Sequence, residues 1–226
     1  VYYIDNLGDI VFENLNGGHD RLISDISMTL GANFEELWLR AGSSAQTAIG
    51  NDLNNKIVGN GLANTIHGAA GRDELIGEAG DDFIFGGTGN DLIFGGAGND
   101  SLNGGDGADK LYGGAGRDSL YGGAGHDTLE AGTGGGWIEG GSGNDFLSAG
   151  LGADTFLFSS GSGIDRIKGF NAARDRLVFE GIEQSDLVLL KRGTSLEISW
   201  GTADKVVITT WTPATLNPEM LPFDFL

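Results

Sequence analysis

The sequence predicts an all-β chain wound into a flattened coil of short parallel strands, and three observations lead there. Glycine fills 42 of 226 positions against 3 prolines. A nine-residue period runs unbroken through the middle of the chain, and one large apolar residue recurs at a fixed place in each period. Ordering glycine costs roughly 0.5–1 kcal/mol more than ordering alanine, so a fold this rich in glycine needs a stabilising interaction beyond ordinary burial. The charge balance indicates its kind: 32 acidic against 13 basic residues leave a formal charge of −19, and repulsion of that size is relieved by cations. The same sign argues against nucleic acid and anionic membrane surfaces as partners, both of which are bound through Lys and Arg. There is no cysteine for a disulfide or a thiolate site. No apolar run reaches the roughly 18 residues of a membrane span. The opening Val1-Tyr2-Tyr3-Ile4-Asp5 lacks the basic-then-apolar order of a signal peptide.

The repeats begin at Gly50 and run to Leu157 as twelve units, among them GGTGNDLIF, GGAGNDSLN, GGAGRDSLY and GGAGHDTLE. Position eight is apolar in every one: Ile57, Ile66, Leu75, Ile84, Ile93, Leu102, Leu111, Leu120, Leu129, Ile138, Leu147 and Phe156. One such residue in nine is too few for a helix face and lacks the alternation of a sandwich strand. It fits a strand of about three residues over positions seven to nine, with position eight inward and its neighbours outward. The six residues before it form a turn, for which glycine at positions one, two and four supplies the φ values. Two units then make one coil, and each unit stacks on the one two repeats away.

Position six is the polar counterpart of that core. It reads Asn55, Asn64, Asp73, Asp82, Asp91, Asp100, Asp109, Asp118, Asp127, Gly136, Asp145 and Asp154. Carboxylates stacked at a rung spacing of about 4.8 Å repel by roughly 3–4 kcal/mol at an effective dielectric near 20, so the stack calls for a cation. An ion midway sits about 2.4 Å from each rung, within the calcium–oxygen range and too long for magnesium. Carbonyls of the turn glycines complete six or more oxygen ligands. Candidates are Gly86, Gly87, Gly89, Gly95, Gly96, Gly98, Gly104, Gly105, Gly107, Gly113, Gly114, Gly116, Gly122, Gly123 and Gly125. One edge carries Asp73, Asp91, Asp109, Asp127 and Asp145, giving four complete pairs. The other carries Asp82, Asp100, Asp118, Gly136 and Asp154, where Gly136 interrupts the row and leaves two. Asn55 and Asn64 offer only a neutral oxygen.

These units closely resemble the repeats-in-toxin (haemolysin-type) family, whose hallmark is GGxGxD followed by any residue, a large apolar residue and any residue. The resemblance implies a right-handed parallel β-roll, folding induced by Ca²⁺, and export through a type I secretion apparatus to the extracellular space. It also implies that Asp165, in the closing turn, pairs with Asp145, for about six to eight ions in all.

Three segments are expected: an N-terminal strand-rich cap at residues 1–40, the calcium-binding roll at 41–158, and a C-terminal β cap at 159–226. In the last, GIDRIKGF, ARDRLVFEGI, DLVLLKRG, SLEISWG and DKVVITTW read as strands. This cap resembles the module that closes haemolysin-type arrays, ending in an apolar strand and Trp211, although Gly169 stands where that pattern often has Asp. The terminal Phe223-Asp224-Phe225-Leu226 resembles the end of a type I secretion signal. The opening VYYIDNLGD resembles the tail of a preceding array, so the chain reads as a fragment of something longer, with a catalytic domain expected upstream.

No catalytic machinery is expected in the chain itself. The third slot of GxGxxG falls on position seven, which is never glycine, and His19, His67 and His126 sit in no HExxH pattern. There is no GxSxG, and the regular carboxylates are committed to the columns rather than to a glycosidase pair. Solvated turn aspartates are the bland alternative for position six, which the strict period with glycine disfavours. Phe83, Phe85, Leu92 and Phe94 fall at outward positions of adjacent repeats and are expected to form one apolar patch. Tyr112, Phe94 and Ile76 align two repeats apart. The competing function is therefore a polysaccharide-binding accessory module of a secreted enzyme such as an alginate epimerase, lipase or protease.

Overall fold

In the computed structural model, which describes residues 1–14, 17–209 and 223–225, the chain is an all-β parallel solenoid. From Arg21–Ser24 to Arg176–Phe179, successive strands alternate between a 13-stranded and a 10-stranded sheet. Among the described residues the helical content is one 3₁₀ turn, Gln184–Asp186. Repeats stack in register on those two units away: Ile93 pairs with both Leu75 and Leu111, and Leu102 with both Ile84 and Leu120. Position eight forms the core as the pattern requires, and every one of its twelve side chains is buried.

The central strands are longer than the expected three residues. Leu92–Ala97, Ser101–Asp106 and Lys110–Ala115 each run six, from position seven through position three of the next unit. The ladder continues because position one is glycine: it takes the next inward place in the alternation, and Gly96 still pairs with Gly114 beyond it. Positions two and four have φ of 104–147° from Gly87 to Gly125, where a side chain is strained. Position one does not lie in that range, so its glycine is required for space and not for φ.

The coil extends past the strict repeats at both ends. Leu22 pairs with Leu37 and Leu37 with Ile57, continuing the buried column although the spacing is no longer eighteen. Beyond the roll, Ile164–Lys168 and Arg176–Phe179 add one parallel rung to each sheet. Asp204–Ile208 pairs in parallel with Ile164–Lys168, then antiparallel Ser195–Trp200 and Val188–Arg192 finish that edge. Phe158, Phe179 and Trp200 pack ring to ring beneath it. A single buried cluster runs from Ile4 to Ile208. Trp211 and Leu226 lie outside the described residues.

The expected single apolar patch is divided. Phe83 and Phe85 stand on the 10-stranded sheet, Leu92 and Phe94 on the 13-stranded sheet, because consecutive repeats go to opposite faces. Ile76, Phe94 and Tyr112 do stack, with the Phe94 and Tyr112 rings 5.1 Å apart.

Candidate metal centre

Each turn ends by delivering its position-six side chain inward beside the start of a strand, and the aspartates there are almost completely buried. Along one edge the backbone N–H of Asp73 donates to Asp91 Oδ1 at 2.8 Å, and the bond repeats from Asp91 to Asp109, Asp109 to Asp127 and Asp127 to Asp145. Asp145 N–H then donates to Asp165 Oδ1 at 2.9 Å, so Asp165 stands next in the row. The other edge runs Asp82, Asp100, Asp118, breaks at Gly136, and resumes with Asp154. Stacked carboxylates therefore do not simply face one another; one oxygen of each is held by the neighbouring rung's amide.

The second oxygen is the informative one. Oδ2 of Asp73, Asp82, Asp91, Asp100, Asp109, Asp118, Asp127 and Asp145 is buried without a hydrogen-bond partner, and so is Oδ1 of Asp154. Leaving an anionic oxygen so is costly unless a counter-charge meets it. Burial without one pushes Asp73, Asp82 and Asp127 up to about 7 and Asp100 and Asp109 to about 6, and burial beside Asp145 raises Asp165 as well.

Position-one glycine leaves open the space these oxygens face. The point a Cβ would occupy on Gly104 lies 2.3 Å from Asp109 Oδ2 and 2.5 Å from the Gly122 carbonyl oxygen, and Gly86, Gly95, Gly113 and Gly122 repeat that arrangement. Carboxylate and carbonyl oxygens thus converge from different rungs, the hard oxygen donor set that calcium takes. Position one is Ala131 in the unit that has Gly136 in place of the aspartate.

The turns fall into two kinds. In the eight with an unpartnered Oδ2, positions two and four both have positive φ, even where position two is Ala69 or Glu78. In four others the position-six side chain closes its own turn. The Asn51 N–H donates to Asn55 Oδ1 at 2.7 Å, Asn60 to Asn64 at 2.7 Å, Gly150 to Asp154 Oδ2 at 2.9 Å, and Asn171 to Asp175 Oδ2 at 2.7 Å. None of those four donors has positive φ. Closed turns therefore precede both rows, at Asn55 and Asn64, and follow the shorter row beyond its break at Gly136.

Asp175 was not singled out in the sequence. It is buried, and its Oδ1 accepts from Asp154 N–H at 3.1 Å, which makes it the next rung after Asp154. The signal was present in Asp175-Arg176-Leu177-Val178, an Asp two places before an inward apolar residue, but it comes 21 residues after Asp154 instead of 18.

The family model of the RTX calcium-binding nonapeptide repeat matches six overlapping stretches, 49–84, 58–93, 77–111, 94–129, 103–138 and 130–167. No curated protein matches the chain. Among solved structures, the extracellular lipase LipA from Serratia marcescens is 20% identical over 87% of this chain, with a TM-score of 0.38. The match spans only 44% of the lipase. The AlgE6R3 subunit of the Azotobacter vinelandii mannuronan C5-epimerase is 26% identical over 67% of this chain and 78% of its own, with a TM-score of 0.28. With the repeat matched across residues 49–167, more than half its length, the chain belongs to the RTX calcium-binding nonapeptide repeat family.

Proposed function

We propose that this chain is the calcium-folded module of a secreted protein, kept unstructured where calcium is scarce and wound into its roll after export. The observation that carries this reading is the set of nine buried carboxylate oxygens without a partner, eight of them Asp Oδ2 in the open turns. Bound calcium supplies the positive charge that lets those oxygens stay ionised inside the coil. The chain's own residues do the rest: position-one glycines keep the space open, positions two and four turn the backbone, and Asp Oδ1 ties each rung to its neighbour.

Asp73, Asp91, Asp109, Asp127, Asp145 and Asp165 form the longer proposed ligand row, and Asp82, Asp100 and Asp118 the shorter. Residues 41–158 serve as the calcium-binding part, 1–40 and 159–226 as its caps. The C-terminal end addresses the type I secretion apparatus, and a catalytic domain upstream supplies the activity of the whole protein. Site affinities in the extracellular range, about 10⁻⁴–10⁻³ M, suit such a switch.

Far-UV circular dichroism tests the reading. A disordered spectrum in excess chelator, a β spectrum on adding millimolar calcium, and no such change with magnesium are expected. A complete β spectrum in chelator overturns it.

A further inference from the structure

The outward face of the 10-stranded sheet carries a feature that calcium binding does not use. Phe85, Asn103, Tyr121 and Glu139 stack in register there, as do Ser101, Ser119 and Trp137 beside them. Phe85, Tyr121 and Trp137 are 38%, 40% and 47% exposed. His67 covers one side of the Phe85 ring at 4.8 Å, so the other side turns toward the gap above Asn103. Tyr121 bounds that gap two rungs further on, at about 9.6 Å. The result is a cavity of about 180 Å³ between aromatic walls, with Ser101, Asn103 and Ser119 among its lining. Tyr121 and Glu139 also line a second cavity of about 350 Å³, where Ser142, Ser159 and Ser160 supply hydroxyls.

Charge decides the class of occupant. Among the described residues no Lys, Arg or His lines either cavity, and the carboxylates of Glu139 and Asp106 do. On a chain of net charge −19, this groove repels uronates and sulfated sugars. Aromatic faces alternating with hydroxyl, amide and carboxylate groups suit a ligand with apolar ring faces and a hydroxyl rim. The translational repeat of the sheet suits one that is periodic along its length. We infer that the groove from Phe85 to Ser160 binds a neutral polysaccharide, with Tyr121 and Trp137 as stacking platforms and Glu139 accepting hydrogen bonds from sugar hydroxyls.

Affinity electrophoresis of the full chain in calcium-containing native gels tests this. The gels carry hydroxyethyl cellulose, galactomannan, laminarin or pullulan, with carboxymethyl cellulose as the anionic counterpart. Circular dichroism of each variant in the same buffer identifies any that fails to fold. At least one neutral polymer is expected to retard the chain, and the Tyr121→Ala/Trp137→Ala pair to bind it about tenfold more weakly. Asn103→Tyr, which fills the gap without removing a wall, is expected to do the same. Phe146→Ala, exposed on the opposite sheet, leaves retardation unchanged. Free migration in every neutral polymer overturns the inference. So does equal retardation by carboxymethyl cellulose, or an unaltered affinity in both folded groove variants.

Discussion

At residue scale, positions one and six of the repeat work as a pair: the glycine keeps clear the space into which the carboxylate's free oxygen points. Gly104→Ala puts a methyl 2.3 Å from Asp109 Oδ2 and 2.5 Å from the Gly122 carbonyl. It is expected to destabilise the calcium-loaded roll by about 1–3 kcal/mol, measured as a raised calcium midpoint in circular dichroism. An unchanged midpoint removes the spatial argument. Asp109→Asn tests the other partner, because it keeps an acceptor for the Asp91 N–H and loses the charge. Native mass spectrometry at saturating calcium is expected to show at least one ion fewer; the same ion count as the parent chain contradicts the assignment. The aspartate column was legible because ionic stacking tolerates little variation at position six. The role of the position-one glycine was not, since a sequence shows that glycine is needed but not whether space or φ requires it.

At the scale of the element, the turn is the unit that decides where ions go. A closed turn already gives its position-two amide to the position-six side chain, as Asn60 does to Asn64. Asn64→Asp is therefore expected to add no ion to the mass spectrum, despite restoring the repeat's aspartate. A gain of one ion shows that closure yields to calcium. The caps matter for a related reason. Removing residues 159–226 strips Ile164–Lys168 from above Leu147 and Arg176–Phe179 from above Phe156, and takes Asp165 and Asp175 from the amides of Asp145 and Asp154. The calcium midpoint of the truncated chain is expected to rise at least about twofold, because a repeat array needs covered ends. An unchanged midpoint refutes the capping role. The rungs in these caps were hard to read because the period gives way to spacings of 20 and 21 residues. Loops absorb such insertions at little cost, so the pairing persists after the pattern that announces it has gone.

For the whole molecule, the question is how a chain of −19 closes around its own carboxylates. In the metal-free roll Asp73, Asp82 and Asp127 are raised to about 7, against about 3.9 unfolded. The folded form then holds protons more tightly than the unfolded one. Their contribution to stability is fully present below about pH 4 and lost as pH rises through about 7. In chelator, β content should therefore be greater at pH 5 than at pH 8. Calcium binds carboxylates that the disordered chain already carries ionised at pH 5.5 and at pH 7.5, so its folding midpoint should lie no higher at pH 5.5. Equal β content in chelator at pH 5 and pH 8, by circular dichroism, contradicts the burial that raises these groups. The most direct test is an anomalous difference map from crystals grown in calcium. The expected map has ions along the Asp73, Asp91, Asp109, Asp127 and Asp145 edge, at least two more than along the Asp82, Asp100 and Asp118 edge, and none in the closed turns at Asn55 and Asn64. Rows of equal length, or peaks in those closed turns, would contradict the assignment of calcium to the unpartnered oxygens.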